Sequence, residues 1–171
     1  MDEPPFLVTP LARHHNRAAF SSGIEPLDRY LTTQATQDVR RNVAAVFVLV
    51  EQATEGLAGY YTLAAAMIEP SSLPADLTRR LPRYDAFPAT LIGRLAVDQR
   101  YQGRKLGAAL LADALRRSYE NRQIVAAMAV VVDAKNDAAH SFYERHGFVP
   151  FQDRPGRLYI PIDAIPRRFT R

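Results

Sequence analysis

The sequence predicts a mixed α/β fold, and three observations carry that expectation. Apolar, β-branched runs alternate along the chain with stretches whose apolar residues recur at helical spacing. Residues 125–132 form an almost continuous apolar run, the pattern of a strand covered on both faces. Near residue 100 a strand-like segment gives way to a glycine-punctuated loop and then to a helical pattern. A length of 171 residues with 47% hydrophobic and 23% charged side chains suits one domain spanning residues 1–171, since no linker, internal repeat or low-complexity tract divides it.

Each element follows from local pattern. Residues 6–9 read as a first strand. Phe20, Ile24, Leu27, Leu31, Ala35 and Val39 recur at helical spacing and predict one amphipathic helix from about residue 24 to residue 40. Residues 44–50 are β-rich and residues 51–56 form a polar turn, so the run from Leu57 through Leu63 onward pairs with them as a hairpin. Residues 71–85, with their prolines, Arg79, Arg80 and Arg83, read as a loop with a short helix. Residues 89–97 are the strand entering the glycine loop. In the helix that follows, Ala108, Leu111, Ala112, Leu115 and Tyr119 share one face, with Arg116, Arg117 and Arg122 elsewhere. After the 125–132 strand, a short helix from Asp137 to about His146 ends at Gly147, a good C-terminal cap. Residues 148–151 and 158–161 supply a last pair of strands.

Composition excludes several chemistries. The chain has no cysteine, so disulfides, thiolate metal sites and a cysteine nucleophile are out. Twenty-two basic against eighteen acidic side chains give a net charge of +4, an excess that permits a polyanionic partner without demanding one. The N-terminal residues lack the basic and apolar character of a signal sequence, and residues 57–68 are too short and too tyrosine-rich for a membrane span, so the expected location is the cytoplasm. His14 and His15 are adjacent, point apart on most backbones and lack a carboxylate or cysteine set, so no metal is expected.

The chemistry-bearing stretch begins at Leu95, Ala96 and Val97 and continues through Gln102, Gly103, Arg104, Lys105, Leu106, Gly107 and Ala108. The first amides of a helix lack internal partners, and the macrodipole adds partial positive charge there, so such a corner binds phosphate with backbone alone. A second stretch covers residues 136–148. Asn136, His140 and Tyr143 fall at i, i+4 and i+7 on one face of its short helix, while Ala138, Ala139, Phe142 and His146 fall largely on the other, core-like face. Asn136 also suits a helix cap, and His140 reads as solvated rather than catalytic.

Together the two stretches resemble the coenzyme A site of the GNAT superfamily of N-acetyltransferases. The resemblance implies a GNAT fold, a mixed central sheet with splayed central strands flanked by helices, and acetyl-CoA as cofactor. It implies that Leu95, Ala96 and Val97 meet pantetheine through their main chain, and that Gly103 to Ala108 cradle the pyrophosphate with amide donors. The family pattern at the loop is Gln or Arg, two variable positions, Gly, one variable position, then Gly or Ala. Gln102 and Gly107 match it, and Lys105 stands where the middle glycine belongs. A lysine keeps its amide and adds an ammonium for a charge-assisted phosphate contact. By the same resemblance Asn136 borders the pantetheine and Tyr143 sits by the sulfur as the catalytic general acid. A phenol with a pKa of about 10 stays protonated at neutral pH and can donate to a leaving thiolate. The amide of Val97 is the implied oxyanion donor.

Many GNAT enzymes that acetylate lysines or protein termini carry a glutamate on the strand before the asparagine. Here that position is Val131. A missing base matters for a lysine, with a pKa of roughly 10.4, more than for an α-amino group at about 7.7–8.0. Pro10-Leu11, residues 14–20, Gly23, Leu27, Leu31, residues 59–63, residues 93–97 and residues 158–162 look like the corresponding parts of the tRNA-acetylating toxins. That resemblance implies acetylation of the primary amine of aminoacyl-tRNA, arrest of translation, a ribbon-helix-helix antitoxin that binds operator DNA together with the toxin, and a homodimer. Arg79, Arg80, Arg83 and Arg94 are candidate tRNA contacts, and Arg40, Arg41, Arg167, Arg168 and Arg171 offer further phosphate contacts. A GNAT acting on a small-molecule amine or a protein N-terminus, and a cofactor-binding partner protein without turnover, are the alternatives.

Overall fold

The computed structural model describes residues 4–165. Its strands are β1 (Phe6–Pro10), β2 (Ala45–Glu51), β3 (Leu57–Ile68), β4 (Phe87–Val97), β5 (Ala129–Asp133), β6 (Val149–Pro150) and β7 (Arg157–Pro161). They form one mixed sheet in the order β1-β2-β3-β4-β5-β7-β6. Its helices are α1 (Glu25–Thr33), α2 (Ala35–Arg40), α3 (Ala75–Thr78), α4 (Leu106–Asn121) and α5 (Asp137–Arg145). The chain packs as two compact units, residues 4–64 with Gly93–Ala114, and Ala65–Ile92 with residues 115–165.

In the first unit β1, β2 and β3 form an antiparallel meander, with Val8 opposite Leu49 and Val48 opposite Tyr60. The expected hairpin is present, its turn closed by Glu51 N–H donating to Gly56 O at 2.9 Å. Phe20, Tyr30, Leu31, Val48, Leu57 and Tyr60 share one core, where the Phe20 and Tyr60 rings meet edge to face at 5.6 Å. The single helix expected over residues 24–40 is instead two, because the chain leaves helical geometry at Gln34 (φ −121°). Arg17 explains the break. One guanidinium nitrogen donates to the Leu31 carbonyl (3.2 Å), which a continuous helix would bond to the Ala35 amide, and to Thr36 Oγ1 (2.6 Å). Thr32 and Thr33 hydroxyls donate back to the Asp28 and Arg29 carbonyls, which bends the last turn further.

Gly59 on β3 marks a close approach of backbone to backbone in this unit. A Cβ there would lie 2.8 Å from the Ala96 carbonyl and 2.8 Å from Leu110 Cδ1, so backbone has to move to admit it. Gly59→Ala is expected to cost roughly 1–3 kcal/mol by overpacking, measurable as a drop in denaturant midpoint at unchanged m-value. An unchanged midpoint would show that β4 and α4 yield freely.

In the second unit β4 and β5 run parallel, paired from Ala89 opposite Ala129 to Ile92 opposite Val132. Residues 93–97 continue β4 beyond the paired stretch. β5 pairs antiparallel with β7, and β7 with β6. Val130, Val131 and Val132 are at most 1% exposed, as a doubly covered strand requires. The strand is nevertheless shorter than the apolar run suggests. Ile124 and Val125 are 81% and 73% exposed, and both amides donate to Asn121 O as the last turn after α4. On α4 the buried stripe is Leu110, Leu111, Ala114 and Leu115, each at most 1% exposed, whereas Ala108, Ala112 and Tyr119 of the expected face are only half-buried. Leu111 and Leu115 of the expected face are thus buried, and the stripe is shifted to take in Leu110 and Ala114, which buries all three leucines of the stripe.

Candidate functional site

The corner after β4 is held by a buried carboxylate. Asp98 is 1% exposed and caps the short turn over Gln99–Tyr101. It accepts from the amides of Ser21 and Arg100, both at 2.9 Å, and from Arg100 Nε at 3.0 Å. Burial works to raise its pKa, but the guanidinium and the two amides outweigh it and hold the carboxyl below the ordinary range. Gln99 N–H donates in turn to Ser21 O at 2.8 Å. Sequence reasoning passed over Asp98 because its partner Ser21 lies 77 residues away. The side chain of Gln102 is also spent locally. Its Nε2 donates to the carbonyls of Ser22 and Val97, both at 3.0 Å, so the side-chain donors are spent on fixing the loop.

The loop itself has alternating handedness. φ is +83° at Gly103 and +61° at Lys105, and negative at Arg104 between them. Alternation of this kind turns successive N–H groups toward one point and makes an anion-binding nest. The amides from Gly103 to Ala108 have no acceptor among the described residues, and the space beside Gly103 is open. Leu106 is buried and anchors the helix start, while Arg104 and Lys105 are exposed. Lys105 thus takes the left-handed backbone that its missing glycine would favour. Lys105→Gly is expected to stabilise the fold by about 1 kcal/mol, seen as a Tm rise of roughly 3 °C. Removal of the ammonium should at the same time weaken acetyl-CoA binding a few-fold. A fall in Tm would show that the lysine is not strained.

In the second unit, Asn136 caps α5, its Oδ1 accepting from the Ala139 amide at 2.8 Å. Tyr143 is the buried residue of α5, at 6% exposure, with its ring edge-on to Phe142 (5.3 Å) and Phe148 (5.4 Å). The core-facing side of the helix is therefore the Tyr143 side. Ala138 is exposed, and Ala139, Phe142 and His146 are only half-buried. The Tyr143 hydroxyl donates to no acceptor among the described residues, yet no sealed-in side-chain oxygen or nitrogen lacks a partner there, so the oxygen itself reaches accessible space. Burial, and after it the Asp133 carboxylate, push its pKa up to about 12. The phenol accordingly carries its proton at any physiological pH.

His140, expected to be solvated, is half-buried. Its Nδ1 lies 2.7 Å from Glu144 Oε1 and its Nε2 3.1 Å from the Pro155 carbonyl. At the position where a base is expected, Val131 is 1% exposed. The nearby Asp133 is bound by Arg157 through Nε at 2.8 Å and Nη2 at 3.1 Å. Its oxygens are committed to that ion pair.

Arg79, Arg80 and Arg83 are exposed in the second unit, Arg79 beside Asp76 at 3.8 Å. Arg94 belongs to the first unit and is half-buried, its guanidinium carbon 3.5 Å from the centroid of the Tyr30 ring. Tyr30 in turn donates to Asp38 at 2.8 Å. Arg167, Arg168 and Arg171 lie outside the described residues. His14 and His15 do not point apart, since their rings are 4.2 Å from each other. His15 Nδ1 accepts the Ala12 amide at 2.9 Å, and burial, followed by His14, lowers its pKa.

Residues 43–150 match the family model described as an acetyltransferase (GNAT) domain. The chain belongs to the GNAT acetyltransferase family. Among GNAT relatives, it is 34% identical over 130 residues to a "tRNA-acetylating toxin" of Mycobacterium tuberculosis, covering 76% of each chain. It is 28% identical over 167 residues to the "Probable toxin TacT" of Sinorhizobium fredii, covering 93% of this chain and 92% of that one. Solved GNAT structures share the fold nearly end to end. AtaT complexed with acetyl-methionyl-tRNAfMet superposes with a TM-score of 0.88 at 28% identity, over 96% of this chain and 99% of that one. A mutant AtaT toxin bound to the C-terminus of the antitoxin AtaR and to acetyl-CoA gives 0.82 at 26% identity, over 98% and 100%. The KacTA–DNA complex gives 0.81 at 26% identity, over 96% and 98%. Helices flank a mixed sheet here as in those GNAT toxins, and no helix among the described residues is long and apolar enough to cross a membrane.

Proposed function

We propose that this chain is an acetyl-CoA-dependent toxin that acetylates the primary amine of aminoacyl-tRNA and thereby stops translation. The observation that supports it most is the likeness to AtaT complexed with acetyl-methionyl-tRNAfMet, which covers nearly the whole of both chains. The loop after β4 fits a pyrophosphate, because its amides are unengaged, its φ angles alternate and its surface is open. Gly103, Arg104, Lys105, Leu106, Gly107 and Ala108 would hold that group, with Gln102 fixing the loop and Leu95, Ala96 and Val97 offering main chain to the pantetheine. Acetyl-CoA, when bound, supplies the acetyl group as a thioester.

The chain's own part follows from its charges. The amide of Val97 donates to oxygen as negative charge develops there. Asn136 caps α5 with its carbonyl and keeps its Nδ2 without an acceptor among the described residues, available to the cofactor arm. Tyr143 holds its proton until a thiolate leaves, and then donates it from a hydroxyl that has no acceptor among the described residues. The absence of a carboxylate at Val131, with Asp133 neutralised by Arg157, suits an amine that is already largely neutral. An α-amino group at about 7.7–8.0 meets that condition and a lysine at roughly 10.4 does not. An esterified amino acid lies lower still, having lost its own carboxylate. Water takes the amine's proton.

To the same reading belong a single GNAT domain, location in the cytoplasm, a homodimer, and a ribbon-helix-helix antitoxin through which the pair reaches operator DNA. Arg79, Arg80, Arg83 and Arg94 serve as tRNA contacts. The deciding experiment incubates the protein with total charged tRNA and labelled acetyl-CoA and identifies the acetylated species. Label on the amine of aminoacyl-tRNA is expected. Label on polyamines or peptides with charged tRNA untouched would overturn the proposal in favour of a small-amine or N-terminal acetyltransferase.

A further inference from the structure

A cleft of about 280 Å³ opens in the first unit where the end of β1 meets α2. Its lining combines the apolar Leu11, Ala12 and Val39 with Arg13, Arg17 and Arg40. No carboxylate is among the lining residues. Arg17 is the unusual member. One of its terminal nitrogens is fixed by the Leu31 carbonyl and Thr36 Oγ1, which holds the guanidinium rigid and half-buried. Its Nε and second terminal nitrogen have no acceptor among the described residues, so three N–H donors remain. Arg13 and Arg40 are exposed and make no ion pair with the described residues. Three guanidinium groups around one recess, one of them already ordered, are a pre-organised site for an anion with several oxygens. An ordinary surface arginine has to surrender side-chain entropy to make the same contact.

We propose that this cleft binds a phosphodiester of the tRNA body, giving the enzyme a grip on its substrate that does not involve the reacting amine. The proposal rests on the aminoacyl-tRNA reading above and deepens it. Guanidinium forks match the paired oxygens of a phosphate. The small apolar part of the lining suits the face of a ribose, and a recess of this volume takes one sugar-phosphate unit. An acidic peptide from an antitoxin is the competing occupant. A helical one needs a longer apolar groove than Leu11, Ala12 and Val39 provide.

The test is binding of fluorescently labelled, deacylated tRNA to the full-length protein and to Arg13→Gln/Arg40→Gln, by anisotropy over a salt series. Arg17 is left in place because it also holds Leu31 and Thr36. The double variant is expected to bind roughly tenfold more weakly and to lose about one unit of the salt slope, for the one phosphate held in the cleft. With charged tRNA as substrate its KM should rise by a similar factor, while KM for an aminoacyl-nucleoside lacking the tRNA body stays within about twofold. Unchanged tRNA affinity and slope would overturn the proposal. So would equal losses on both substrates, or weakened antitoxin binding with tRNA binding intact. Because binding is read without turnover, a wild-type protein that holds tRNA in this cleft but acetylates no charged tRNA would count against the function and not against the cleft.

Discussion

Tyr143→Phe is expected to lower acetyl transfer by roughly 10²- to 10⁴-fold in kcat, the range set by loss of one general acid. Acetyl-CoA binding and Tm should both stay close to wild type. The geometry separates these outcomes. The ring is packed between Phe142 and Phe148 and contributes to stability as an aromatic, and phenylalanine keeps that packing. The hydroxyl has no acceptor among the described residues, so its removal strands no buried group there. What disappears is a proton donor whose pKa burial has pushed up to about 12. With its pKa raised by burial the phenol keeps its proton between pH 8 and 10, so a fall in rate there belongs to another group. Isothermal titration for binding and steady-state acetylation of charged tRNA for turnover check the prediction. Near-normal turnover in the variant would remove Tyr143 from the mechanism.

The parts of this site that a sequence can carry are those made by neighbours along the chain. The strand–loop–helix order, the cap at Asn136 and the stop at Gly147 all depend on residues within a few positions of each other, and each is in the structure as expected. Where distant residues decide, the pattern misleads. One amphipathic period runs unbroken from residue 24 to 40, but an arginine earlier in the chain takes the Leu31 carbonyl and splits the helix. The apolar run at 125–132 carries no mark of the turn after α4, which takes Val125 and leaves β5 to begin at Ala129. The i, i+4, i+7 spacing in α5 runs from the exposed cap Asn136 through the half-buried His140 to the buried Tyr143. It does not reveal that the Tyr143 side is the one the helix turns to the core.

Asp98→Ala is expected to have the largest effect on stability, about 3 kcal/mol. The carboxylate is 1% exposed and satisfies the Ser21 amide, the Arg100 amide and the Arg100 guanidinium together. Alanine leaves both amides without an acceptor and releases the turn that precedes Gln102. Acetyl-CoA affinity should therefore fall with stability, by roughly tenfold if the bound loop shape becomes a minor one. Acid has a related effect. The folded-state pKa of Asp98 is depressed, so its contribution is complete above the unfolded value of about 4 and is lost as pH falls through the lower folded value. Asp98→Asn should flatten the acid limb of the stability curve. Chemical denaturation across pH 2–7 measures both effects. An Asp98→Ala protein with wild-type midpoint and cofactor affinity would show that Ser21 and Arg100 find water as readily as carboxylate.

The alternating backbone at Gly103, Arg104 and Lys105 bears on which substitutions such a loop tolerates. Torsion angles rather than side chains aim the N–H groups of this turn, so any substitution that keeps those angles leaves the amides where they are. Lysine at a position that glycine would favour meets that condition at the cost of a strained backbone, and the turn keeps its form where the letters differ.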